Sequence, residues 1–248
     1  MADASTVALL LGSEEVARHA TCCLSGEGAD ELFAGYHTYR RVNEIGQTGG
    51  PWHYGCSRLM RAEAAQRLLM LERSYPMEDL VKGIYDATES CERLSRLQAI
   101  DCALWFEGDI LFGANAVARA SGLNFLLPYS DQRMVELATR VPACLRLKDG
   151  CGKYVLRKAA RRRLPEEVAF RAKVGFSVPI RAWMREEARR EEIESILFGG
   201  SSEHIFDRDL VQSYWDSFLG GDDDLWQTVY ALYVFLIWYR ECFSKGTE

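Results

Sequence analysis

The sequence predicts a mostly helical fold that keeps a small piece of β-sheet, and three observations predict it. Apolar residues recur at helical spacing along most of a chain that is 48% hydrophobic. Two short stretches instead have strand character: Ala20–Leu24, apolar and ended by a glycine-rich turn, and Leu123–Leu127, stopped by Pro128. Two such strands cannot make a sheet covered on both faces, so they belong to a sheet whose other strands lie elsewhere.

In chain order, Asp3 caps a helix over Ser5–His19, and Ala20–Leu24 follows as a strand expected to be buried. The glycine-rich turn at its carboxyl end should face a cleft, as ligand-binding turns do in open sheets. Helical stretches follow near 30–43, 57–73, 77–87 and 92–112, then the Leu123–Leu127 strand, then helices near 130–140, 152–163, 181–197, 208–218 and 223–243. The strands' missing neighbours imply an exposed apolar sheet edge. Gly46–Pro51, Gly199–Ser202 and Gly220–Gly221 read as loops, none of linker length, so residues 1–248 are expected to form one domain. No repeat is present, and Ser244–Glu248 reads as a frayed end.

Composition excludes several functions. Lys+Arg 30 against Asp+Glu 36 gives a net charge of -6, the wrong sign for a dedicated nucleic-acid binder. The longest apolar run, Val229–Tyr239, is far short of the roughly 20 residues of a membrane span. It reads as a buried helix with acids before it and Arg240 behind it. The N-terminus has no basic residue ahead of its short apolar stretch Val7–Leu11, so no secretory signal is expected. The eight cysteines show no zinc or C-x-x-C spacing and read as reduced thiols in a cytoplasmic protein.

Three stretches could carry chemistry. The turn LSGEGADELFAGY (Leu24–Tyr36) exposes backbone N–H groups that favour an anion, yet presents Glu27, Asp30 and Glu31, which would repel a bare phosphate. A divalent cation such as Mg²⁺, held by one or two carboxylates together with phosphate oxygens, resolves the conflict. The plainer alternative is that Ser25 or Asp30 caps the helix. Lys153, Arg157 and Arg161 recur at i, i+4 and i+8 and could grip a phosphate, whereas Arg161–Arg163 fit a solvated helix end. Lys173, beside Gly175 in a loop, suits stabilisation of charge on a transferring phosphorus.

LSGEGADELFAGY, EGDIL (Glu107–Leu111), the Leu127-Pro128 to Asp131 segment, KYVLRKA, LPEEV and RAKVGFSVPIRAW occur in the order and spacing found in glutamine-dependent asparagine synthetases. Roughly residues 3–243 resemble the C-terminal synthetase domain of that family. The resemblance implies an α/β fold of the adenine nucleotide alpha-hydrolase-like (PP-loop) group, present here as a mostly helical portion with a remnant of its parallel sheet. It implies ATP and Mg²⁺ as cofactors, adenylation of aspartate with release of pyrophosphate, and amidation by ammonia, free or glutamine-derived. Carried over, Ser25, Gly26 and Glu27 would line the substrate and intermediate pocket, with Glu27 and Lys173 catalytic. Asp30 would hold Mg²⁺, and Lys153 and Arg157 would bind pyrophosphate.

The family's Ser-Gly-Gly-x-Asp-Ser phosphate-binding turn is not among the 248 residues, nor is its N-terminal nucleophilic cysteine, since residue 2 is Ala. That turn is expected upstream of Met1 or on a partner polypeptide, and the chain by itself is expected to be inactive. Asn115–Ala120 and Leu123–Asp131 replace charged family positions with amide and apolar residues. Two other readings remain open: a non-catalytic remnant or interaction module, and a relative that adenylates another carboxylate, with Glu27 favouring the asparagine branch.

Overall fold

The structure, a computed structural model, describes residues 3–41, 59–60, 62–70, 77–175, 178–200 and 204–243. The expected loop Gly46–Pro51, the second half of Gly199–Ser202 and the tail Ser244–Glu248 lie outside those residues. Chain contacts divide the protein into two compact units, one comprising Ser5–Ser57 and Pro76–Ser177, the other Met1–Ala4, Arg58–Tyr75 and Val178–Glu248.

The first unit holds both predicted strands. Its leading helix, Ser5–Ala17, is apolar nearly all round and packs on the helix Phe112–Ser121. Strand β1 (Cys22–Leu24) then pairs in parallel with β2 (Asn124–Leu126), with Cys23 opposite Phe125. The expectation of a buried β1 is corrected: Leu24 is 74% exposed and Leu126 52%. The physical reason is that a parallel sheet buries its strands only when helices or further strands cover both faces. Among the described residues this sheet has two strands, and the face that carries Leu24 and Leu126, not just its edge, is exposed, while Cys23 and Phe125 are half-buried.

Several helices are broken where apolar spacing alone reads them as continuous. The stretch expected over 30–43 is two short helices, Ala29–Phe33 and His37–Arg40, separated at the buried, left-handed Ala34 (φ 57°). There the N–H of Gly35 turns back to the Asp30 carbonyl at 2.8 Å. The stretch 92–112 is α-helical over Arg93–Ile100, becomes a π-helix over Asp101–Leu111, and runs on as α-helix to Ser121. Apolar spacing over a few turns does not separate the two hydrogen-bond patterns. Buried Leu32, Phe33 and Ala138, with Met134, Val135, Val155 and Leu156 against them, form one core beneath the turn after β1.

A small hairpin, β3 (Leu147–Lys148) antiparallel to β4 (Cys151–Gly152), went unpredicted. Asp149 and Gly150 both take left-handed φ, 50° and 74°, as a two-residue Asp-Gly hairpin turn requires. Its outgoing strand presses so closely on the chain at Ala34 that a Cβ on Gly152 would lie 2.1 Å from the Ala34 carbonyl oxygen. The hairpin thereby delivers Lys153 to the start of the helix Tyr154–Ala160, with its N–H on the Phe33 carbonyl at 2.8 Å.

The second unit is built from the helices Ala62–Leu68, Ile180–Met184, Glu187–Leu197, Arg208–Leu219 and Trp226–Phe243. The stretch expected over 181–197 breaks at Arg185, whose guanidinium donates to the Phe218 carbonyl and pairs with Asp223 at 2.7 Å. An apolar cavity of about 670 Å³ lies here, lined among others by Leu68, Phe206, Leu232, Phe235 and Trp238. The final helix buries Val229, Leu232 and Leu236 but leaves Trp238 47% exposed. Among the described residues no helix is long and apolar enough to cross a membrane, and no disulfide forms.

Candidate functional site

The turn that leaves β1 is anchored before it reaches its charged residues. Ser25 N–H continues the sheet with a bond to the Leu126 carbonyl at 3.0 Å, and Ser25 and Glu27 are half-buried while Gly26 is exposed. Gly28 takes φ 94°, and a Cβ there would meet the Phe106 ring at 2.7 Å, so glycine is required on both conformational and steric grounds. The helix that follows, Ala29–Phe33, is only five residues long, which leaves anion binding at this turn to side chains more than to a helix dipole.

Asp30 is the centre of the charged cluster. Its Oδ2 meets Lys153 Nζ at 2.9 Å and its Oδ1 meets Lys173 Nζ at 2.7 Å. All three side chains are 22–26% exposed, open enough for a ligand to reach and closed enough to strengthen their attraction. The absence of a side chain at Gly35 creates the space: a Cβ there would lie 1.9 Å from Asp30 Oδ1 and 2.3 Å from Lys153 Cε. The three charged residues come from separate segments, namely the turn after β1, the exit of the Asp-Gly hairpin and the loop before Val178.

Arg157, by contrast, is committed to the main chain. Its guanidinium donates to the carbonyls of Gly152 (3.0 Å), Ala169 (3.2 Å) and Arg171 (2.8 Å). Two of those carbonyls lie in the segment that leads to Lys173. Arg161 pairs with Glu166 at 3.0 Å on the exposed surface.

Sequence reading passed over the polar layer beneath this cluster. Glu31, only 1% exposed, accepts a short hydrogen bond from the Tyr36 hydroxyl, which in turn accepts from Trp105 Nε1 at 3.0 Å. Gln98 donates to the Glu31 carbonyl and accepts from Arg146. Burial holds the Glu31 carboxyl above the ordinary glutamate range, with Asp30 and Glu27 adding to the effect, and pushes the neighbouring Cys102 thiol up to about 12. Burial likewise raises the Tyr36 phenol. The signal for Glu31 was available: successive helical residues point near 100° apart, so Asp30 and Glu31 cannot both face a cleft. Tyr36 and Trp105 carry no such signal, being 69 positions apart.

Chemically, one carboxylate between two ammonium groups is a poor trap for a free dication, and among the described residues no group of three metal-binding side chains exists. The same set suits Mg²⁺ that arrives already bound to phosphate oxygens, with Asp30 adding one ligand and the lysines facing the remaining anionic charge.

Comparison with known proteins places the chain among asparagine synthases. Asparagine synthetase (glutamine-hydrolysing) 1 of Bacillus subtilis strain 168 is 28% identical over an alignment that covers 96% of this chain and 43% of the relative. Asparagine synthetase (glutamine-hydrolysing) 3 of the same organism is 27% identical over 70% of this chain and 29% of the relative. The chain thus spans less than half the length of these curated relatives. The asparagine synthase family model matches residues 1–240, nearly the whole sequence, and the chain belongs to that family.

Proposed function

We propose that these 248 residues form the acidic and cationic half of an ATP-dependent site that adenylates aspartate and hands the activated carboxyl to ammonia. The observation that carries this reading is the convergence of Lys153 and Lys173 on the single carboxylate of Asp30. Adenylation sheds pyrophosphate, and the departing group needs its growing charge offset where it leaves. Lys153 and Lys173 offset that charge, Asp30 adds a ligand to the magnesium bound with the phosphates, and Ser25, Gly26 and Glu27 line the pocket of the carboxylate and its adenylate. Arg157 acts one step back, fixing the main chain at Ala169 and Arg171 and so the reach of Lys173.

The adenine nucleotide fold, a single synthetase-type domain and a cytoplasmic location belong to the same reading. The phosphate-binding turn comes from sequence other than these 248 residues, whose exposed β1–β2 ribbon offers a place for further strands. A non-catalytic remnant is the competing reading, favoured by the amide and apolar residues that stand at charged family positions within Asn115–Ala120 and Leu123–Asp131. The test is exchange of labelled pyrophosphate into ATP, with the missing turn supplied as a second polypeptide. Exchange that depends on aspartate supports adenylation of that substrate. Dependence on another carboxylate corrects the substrate, and no exchange with any carboxylate supports the remnant.

A further inference from the structure

Resting on the adenylation reading, we propose that the ring of Tyr36 is a positioning residue for Lys173, a seat that holds the ammonium at the site of the departing anion. Lys173 Nζ lies 4.5 Å from the centre of the Tyr36 ring while contacting Asp30 Oδ1 at 2.7 Å. A cation over an aromatic face is attracted by the ring quadrupole, and more so where water is partly excluded. Lys173 is 23% exposed, which meets that condition.

The ring itself is fixed from two sides. Its hydroxyl donates to Glu31 and accepts from Trp105 Nε1, and its body packs on Tyr39 with centroids 5.9 Å apart. Tyr39 is in turn bonded to buried Asp101 at 2.6 Å. A flexible lysine on an exposed loop would otherwise sample many rotamers, and ordering it at the moment of reaction would oppose catalysis. The seat lets Lys173 exchange its Asp30 contact for a phosphate oxygen without leaving the ring.

The test uses the 248-residue chain with its lysines ¹³C-dimethylated, a modification that preserves their charge, and observed by NMR. The Lys173 signal is assigned by its loss in Lys173→Arg. The expected signal is displaced upfield from those of exposed lysines by the ring current, stays displaced in Tyr36→Phe and returns to the exposed position in Tyr36→Leu. Magnesium pyrophosphate should bind unmodified Tyr36→Leu about tenfold more weakly than the parent chain, and Tyr36→Phe within about twofold of it. An undisplaced Lys173 signal in the parent chain overturns the seat without any Tyr36 variant, so a Tyr36→Leu chain that failed to fold would not shield it. Equal loss of binding in Phe and Leu variants also overturns it, because the hydroxyl network and not the ring face would then matter. A displaced signal in a chain that exchanges no pyrophosphate with any carboxylate, even when complemented with the phosphate-binding turn, would leave the seat standing and refute the adenylation reading.

Discussion

The turn Ser25–Tyr36 and the β1–β2 ribbon from which it springs are adjacent in sequence and opposite in character. In the turn and its surroundings, polar groups are paired at close range: the Asp30 carboxylate with two lysines, the Glu31 carboxyl with Tyr36, and the Glu31 carbonyl with Gln98. In the ribbon, Leu24 and Leu126 stand in the open. The difference teaches that the chemistry-bearing part of this chain is organised by its own residues, whereas its sheet depends on further apolar cover.

The sharpest way to break that contrast is Gly35→Ala. The added carbon collides with Asp30 Oδ1 and Lys153 Cε, and displacing a positioned group by about an ångström costs on the order of 10²-fold in rate. Pyrophosphate exchange in the chain complemented with the phosphate-binding turn should fall by about that factor, in a protein whose thermal melt shows it folded. Next comes Asp30→Asn, which leaves two ammonium groups facing each other without their carboxylate. With these side chains 22–26% exposed, the loss of stability in urea titration should be about 1–2 kcal/mol, between surface and fully buried pairs.

A subtler effect concerns pH. The folded protein raises the Glu31 carboxyl above its ordinary 4.5, so it holds that proton more tightly than the unfolded chain does. The stabilising contribution is therefore complete below about 4.5 and is lost as pH rises through the folded value. Glu31→Gln should remove this decline, raising stability at pH 7 relative to the parent chain while bringing no such gain at pH 4, as read by thermal melts across that interval. Leu24→Lys should change least: stability within about 0.5 kcal/mol, since the side chain is already exposed, with weaker concentration-dependent association in light scattering. A large destabilisation there would mean that the ribbon is packed and the contrast false.

The positions of most helices were legible because apolar spacing reports a buried face. Their interruptions were not, since Ala34 and Arg185 break helices for reasons of packing and hydrogen bonding that only the tertiary structure supplies. The Asp149-Gly150 hairpin was written plainly in the sequence, as two residues suited to left-handed φ, and was overlooked beside the basic stretch that follows it. Among the candidate site residues, Asp30 and Lys173 could be named because charge sat close to glycine in a turn or loop, and Lys153 because it begins a basic i, i+4, i+8 series with Arg157 and Arg161. That Arg157 would spend its guanidinium on carbonyls, and that Tyr36 would lie under Lys173, depended on proximity across segments that no local pattern encodes.

The central claim is that Asp30 and Lys173 act together on departing pyrophosphate. Its most direct test is aspartate-dependent pyrophosphate exchange in the chain complemented with the phosphate-binding turn, comparing Lys173→Ala, Asp30→Asn and Arg162→Ala. The account predicts exchange in the parent pair, none by the 248 residues alone, abolition by the first two substitutions and near-parent rates for the third, since Arg162 is exposed in the turn that follows the helix Tyr154–Ala160. Undiminished exchange in Lys173→Ala or Asp30→Asn would contradict it.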